Sequence, residues 1–205
     1  MIVFDHIAVS GETRDAAQAH VEEALGVAMQ PGGAHDVFHT HNTLLGLEDG
    51  LYLEAIAIDP DAPKPDRARW FDLDRFAGAP RLTNWICRTD DLDAVLHNLP
   101  EEMGAPVALQ RGDLRWRMAV PQSGILPFDN RAPALIQWQV ASHPATRLAP
   151  TGVSLRRLTV QHPQADHLAA MLRGKLMDDR IALLIGESGM EAVFDTPHGP
   201  RSLTG

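Results

Sequence analysis

The sequence predicts an α+β fold assembled from repeated β-α-β-β-β modules, and three observations carry that expectation. Two apolar, strand-like runs at 3–9 and 51–58 each hold one metal-competent side chain, His6 in the first and Glu54 in the second. A helical spacing of residues lies between them and is followed by an Asp49-Gly50 hairpin signal. The same succession restarts near residue 82 and again near residue 154. Repetition over that length says more about a fold than any one segment.

Residues 3–9 read as a strand because the run is short, apolar and β-branched. Residues 12–25 read as a helix. Thr13 is its candidate cap, Ala16, Ala17, His20, Val21 and Ala24 fall near helical spacing, and Gly26 follows the end. Residues 27–30 suggest a short strand, and Pro31-Gly32-Gly33 reads as a breaker. Residues 43–47 and 51–58 then pair around Glu48-Asp49-Gly50, since Asp-Gly favours a tight hairpin. These elements make a first module over 1–58.

A proline-rich stretch and a short helix over 67–76 form a linker, 59–81. A second module is expected over 82–140. Its strands fall at 82–87, 109–111, 114–120 and 134–140, and its helix over 90–99 has Asp90 as candidate cap. Residues 153–205 read as a partial third module packed on the same domain. Its strands are expected at 154–160, 181–185 and 190–194, and its helix at 164–172.

The whole chain bounds the function classes. Its 205 residues suffice for one sizeable domain or two small ones. A hydrophobic content of 44% and a charged content of 22% are those of an ordinary globular protein. The net charge of −9 argues against a nucleic-acid partner and against an anionic membrane surface. Cys87 is the single cysteine, so no internal disulfide framework exists, and its apolar setting suits a buried hydrophobe better than a nucleophile. No run approaches the ~20 apolar residues of a membrane span. The chain starts in a strand pattern rather than a secretory leader, and a cytoplasmic location is expected. No Gly-x-Ser-x-Gly and no glycine-rich phosphate loop occurs, which leaves little support for a serine nucleophile or a nucleotide cofactor.

The chemistry-bearing residues concentrate in 1–58. An unpaired charge buried in a strand is costly, so His6 and Glu54 need partners, and a divalent metal is one such partner. His6 serves either as a metal ligand or as a hydrogen-bonded core histidine. Glu54, flanked by Leu53 and Ala55, serves as ligand, as general base or as half of an ion pair. His35, His39 and His41 supply ligands, a proton shuttle or merely a polar loop. His35 follows Gly32-Gly33, where the backbone can approach a ligand closely. Asn42 can orient a carbonyl or carboxylate, or hold a turn. Trp85, Trp116 and Trp138 can line an apolar cup or fill the core. Arg115 and Arg117 share one strand face and hold either an anionic group or water.

Asp5-His6, Gly32-Gly33-x-His35, Thr40-x-Asn42-x-Leu44-Leu45 and Tyr52-Leu53-Glu54 together resemble the glyoxalase-like branch of the vicinal-oxygen-chelate superfamily. The resemblance implies paired modules forming a cupped mixed sheet around a divalent metal such as zinc, manganese, iron or nickel. Ligands come from the first and last strands of the modules. Here that pattern selects His6, Glu54 and, in the second module, Gln137. Asn84, a poor ligand, takes the place of His6 there. Glu54 and His35 are the expected catalytic groups, with Asn42, Trp85 and Trp138 against substrate. The implied function is a metal-dependent isomerase, lyase or dioxygenase acting on a small oxygen-chelating molecule, with a homodimer as its assembly. A metal-free binding or sequestering protein and a dimerisation module with a degenerate site are the alternatives.

Overall fold

The computed structural model describes all 205 residues. Eight strands make one mixed sheet: β1 (Val3–Ser10), β2 (Gln30–His35), β3 (Thr40–Gly46), β4 (Tyr52–Ile58), β5 (Arg81–Arg88), β6 (Ala105–Arg111), β7 (Leu114–Val120) and β8 (Ala134–Trp138). Their order is β2-β3-β4-β1-β5-β8-β7-β6. Strand β1 runs parallel to β4 and β5 parallel to β8, while β1 and β5 meet antiparallel at the centre. Each half therefore repeats the other's strand order about that central pair. The sheet curls until its two edge strands, β2 and β6, approach each other. The concave side is the cup that the resemblance implies.

Local chemistry explains most of the elements. Helix α1 (Arg14–Leu25) starts at Thr13, whose hydroxyl accepts from the Ala16 amide at 3.1 Å. It stops at Gly26, whose left-handed backbone (φ 71°) costs no Cβ clash. Ala17, Val21 and Leu25 are its buried face. Helix α2 (Leu92–Leu96) is shorter than expected and is capped by Asp91, not Asp90, through a 3.0 Å bond to the Ala94 amide.

Three expectations need correction here. The breaker Pro31-Gly32-Gly33 lies inside strand β2, because an edge strand tolerates proline and a register shift at Pro31–Ala34 absorbs the irregularity. Residues 67–76 are not a regular helix but tight turns over Trp70–Arg75, with Phe71 and Asp72 at positive φ. The third segment has the expected β9 (Ser154–His162), a helix over Ala165–Leu172, β10 (Ile181–Ile185) and β11 (Gly189–Thr196), and adds an unexpected strand, β12 (Gly199–Thr204). Its order, however, is β10-β9-β11-β12. Its first strand is interior, whereas β1 and β5 lie at the opposite end of their modules from β2 and β6. It is thus a separate four-stranded sheet rather than a further copy. It reaches the first sheet through Ile2, which bridges Leu176, and through Arg131, whose guanidinium donates to Ser188 at 3.1 Å.

One continuous hydrophobic core runs through the molecule, with Phe4, Phe38, Trp85 and Phe194 among its fully buried members. Cys87 belongs to it, and burial raises its thiol pKa well above the usual value. No helix is long and apolar enough to cross a membrane.

Candidate functional site

The site begins at an irregularity in β1. Its pairing with β5 shifts register between Phe4 and His6. Adjacent strand residues ordinarily point to opposite faces, yet Asp5 and His6 meet, with His6 Nδ1 2.6 Å from Asp5 Oδ1. Asp5 is fully buried, and its other oxygen accepts from His143 Nε2 at 2.8 Å and from the Trp138 indole at 3.2 Å. Burial alone would raise the Asp5 pKa. Hydrogen bonds from His143 and His6, with their charge, outweigh it and hold the carboxyl below the ordinary carboxylate range. An ionised Asp5 can only accept, so the proton shared with His6 belongs to Nδ1, and Nε2 is the ring nitrogen turned to the cup.

Around Nε2 stand Tyr52 and Glu54, both from β4, the parallel neighbour of β1. The Tyr52 ring stacks on the imidazole at 4.2 Å, with its hydroxyl 3.4 Å from Nε2. Burial, reinforced by the charges of Asp5 and Glu54, pushes the Tyr52 pKa well above its ordinary value, so it stays protonated. Glu54 Oε2 lies 3.9 Å from Nε2. Its other oxygen accepts from Asn42 Nδ2 at 2.5 Å.

Asn42 is the hub between Glu54 and a cation. Its carbonyl oxygen accepts from the Gly33 amide at 2.8 Å and from Arg111 at 3.1 Å. The Gly-Gly pair exists for this contact. A Cβ on Gly32 would stand 2.0 Å from Asn42 Oδ1, and one on Gly33 would stand 2.7 Å from Arg111 Cδ. His35 Nδ1 faces the Thr40 hydroxyl at 2.9 Å, while Nε2 is turned to Asn42 and Arg111. Burial, with the Arg111 charge adding to it, pushes the His35 pKa down to about 3. His35 is therefore a neutral acceptor that helps to seat the guanidinium.

The remaining wall is apolar: Leu44, Met118 and Ile136, the indoles of Trp70, Trp116 and Trp138, and Phe71. Pro144 and Leu148, from the loop after β8, complete the lining. The free space in the cup is about 40 Å³ as a water molecule would measure it. That leaves room for roughly three waters at ~10–15 Å³ each.

The structure thus gathers His6, His35, Asn42, Glu54 and Trp138 into one cup. Two expected members lie elsewhere. Gln137 alternates out of the cup. Its amide donates to the Asp90 carbonyl and its oxygen accepts from Arg117. Trp85 is wholly buried, stands cross-strand from Ile7 and donates to the Arg131 carbonyl, so it belongs to the core. Asn84 is also fully buried, its amide without a partner, and is absent from the cup wall. His39 bonds the Pro63 carbonyl, and His41 does not reach the cup. Arg117 pairs with Asp93 on the outer side, and Arg115 bonds the Gly112 and Leu114 carbonyls. The cation in the cup is Arg111 instead. It ends the Val107, Leu109, Arg111 alternation of β6, and that pattern is its sequence signal. Asp5 and His143 are further unexpected members. Nothing in the local sequence marks His143, 138 positions from its partner.

The donor set does not fit a resident divalent ion. His6 and Glu54 converge, but zinc sites, structural or catalytic, need three or more protein ligands. The other wall offers the Arg111 cation and, from the second module, Met118, Ile136 and two indoles. No three His, Cys, Asp or Glu side chains are grouped for metal binding anywhere in the chain.

Two modules curled into one sheet, with polar groups gathered on its concave side, define a vicinal-oxygen-chelate architecture. The chain belongs to the glyoxalase-like domain family of that superfamily, whose model matches residues 4–176. Among solved structures it is similar to a hypothetical protein from Staphylococcus aureus. Their identity is 16%, the overlay covers 84% of this chain and 74% of that one, and the TM-score is 0.59. It is more distantly similar to the methylmalonyl-CoA epimerase of Mycobacterium tuberculosis, with 19% identity, 70% and 91% coverage and a TM-score of 0.44. At such identities the likeness speaks for the fold alone. No curated protein sequence matches the chain.

Proposed function

We propose that the chain is a metal-independent proton-transfer enzyme of the isomerase or lyase type, acting on a small molecule in the cup. One observation carries the reading. Asp5 engages Nδ1 of His6, which leaves Nε2 as the nitrogen turned to the cup, beside the Tyr52 hydroxyl and Glu54. An orienting carboxylate behind an imidazole is the arrangement that general-base catalysis needs. In the proposed step His6 Nε2 takes a proton from a carbon beside a carbonyl. The electron pair of that C–H bond moves onto the carbonyl oxygen, and the Tyr52 hydroxyl donates to the resulting enolate. Return of the proton from His6 to a carbon of the enolate completes an isomerisation. Two donors beside a guanidinium give a Lewis-acid or dioxygenase route no support.

The test is exchange of carbon-bound protons in D2O. Chelator-treated protein is given 2-oxobutanoate and dihydroxyacetone in parallel and followed by proton NMR. The expected result is exchange without added metal, reduced ~100-fold or more in His6→Gln. Exchange that appears only when zinc, manganese, iron or nickel is added contradicts the reading. Binding without exchange favours the sequestering protein instead.

A further inference from the structure

The cup holds two opposite charges that the protein leaves unmatched. Arg111 donates to Asn42 Oδ1 at 3.1 Å and faces His35 Nε2 at 3.5 Å, and no carboxylate pairs with it. Glu54 accepts one strong bond, from the other end of the same Asn42 amide, and no lysine or arginine pairs with it; its nearest basic group is the His6 imidazole, 3.9 Å away. A single amide thus separates an unpaired guanidinium from an unpaired carboxylate, both on the cup wall. Trp70 lines the same wall, and its buried indole N–H has no partner. Glu54 is buried and Arg111 half-buried, and a charge withdrawn from water without a partner is costly, so a bound molecule that completes both is favoured over one that completes neither.

We infer that the cup recognises a short carboxylate carrying a hydrogen-bond donor on its α-carbon. The carboxylate sits against Arg111, and the α-hydroxyl or α-ammonium donates to Glu54. Leu44, Met118 and Ile136 offer apolar contact to a short alkyl tail. Arginine suits this role because its planar fork binds a carboxylate through two parallel bonds. The inference rests on the cup being the small-molecule site, as proposed above, and is independent of whether His6 moves a proton there.

The experiment is a binding series read by NMR chemical-shift titration on the full chain. Its probes are 2-hydroxybutanoate, 2-aminobutanoate, butanoate and 2-hydroxybutanamide. The expected result is that one of the two substituted acids binds at least about tenfold tighter than butanoate and than the amide, because a site built for a polar group rejects an analogue lacking it. Which acid wins tells hydroxyl from ammonium. Arg111→Gln is expected to erase the acid-over-amide preference, and Glu54→Gln the preference for an α-donor. Butanoate or the amide binding as tightly as both substituted acids overturns the inference, and that comparison needs only the wild-type chain. Preference intact, with no exchange in D2O of the α-proton of the preferred acid itself, sinks the catalytic reading alone. Exchange with no preference sinks this inference alone.

Discussion

Asp5 decides what His6 can do. As a carboxylate it can only accept, which puts a proton on Nδ1 and makes Nε2 the nitrogen turned to the cup. Asp5→Asn offers an amide donor to Nδ1, moves the proton to Nε2 and removes the base. The expected loss of proton-exchange rate is ~100- to 10,000-fold, with the fold retained by circular dichroism. An unchanged rate would show that Asp5 plays no orienting part. His35 makes a prediction of a different kind. Its pKa falls from 6.5 to about 3 on folding. Between those values the unfolded chain binds a proton that the folded chain refuses, so stability is full above pH 6.5 and declines as pH falls toward 3. The slope is at most ~1.4 kcal/mol per pH unit for one group. Denaturant unfolding at several pH values should show a shallower decline over this window in His35→Gln; an identical slope in both proteins contradicts a neutral, buried His35. At this scale the sequence shows His6 and Glu54 clearly, because a polar side chain inside an apolar strand is conspicuous. Asp5, one residue away, is hidden by the alternation rule that its bulge breaks. His143 is hidden by distance along the chain.

Strand β2 is the element that the sequence disguises most. Pro-Gly-Gly is a break by composition, yet here it is edge strand, and the glycines make space for Asn42 and Arg111. Local propensity yields to a tertiary contact with Arg111, about eighty positions ahead. Gly32→Ala tests this directly, because its Cβ would overlap Asn42 Oδ1. The expected cost is ~1–3 kcal/mol of stability. Weakened binding of the preferred α-substituted acid should accompany it, since Asn42 carries both charges of the cup. Stability and binding equal to wild type would remove the reason given for the glycine. Helix α1 and the Asp49-Gly50 turn, by contrast, are legible, because caps and left-handed glycines act within a few residues. So is β7, whose expected span matches Leu114–Val120.

The molecule as a whole joins a two-module cup to a second sheet. The repeated strand order of the modules follows from a repeated pattern of strands, helix and hairpin, and the sequence carries it. The order of the second sheet does not follow from its element string, since the same string admits β9 at an edge or inside, and β12 has no clear sequence signal. Phe194 of β11 is fully buried in the shared core. Phe194→Ala should cost about 3–5 kcal/mol in denaturant unfolding while leaving a single cooperative transition. Two separated transitions would show that the sheets fold independently. The central claim is that the cup holds an Asp5-oriented histidine base and no resident metal. Nitrogen-15 NMR of histidine-labelled protein tests it most directly, recorded before and after addition of zinc and manganese. The account predicts His6 protonated on Nδ1, with an unprotonated Nε2 whose shift zinc does not change and whose signal manganese does not broaden. A proton on Nε2, or a metal-bound Nε2 lost together with Glu54→Ala, would contradict it.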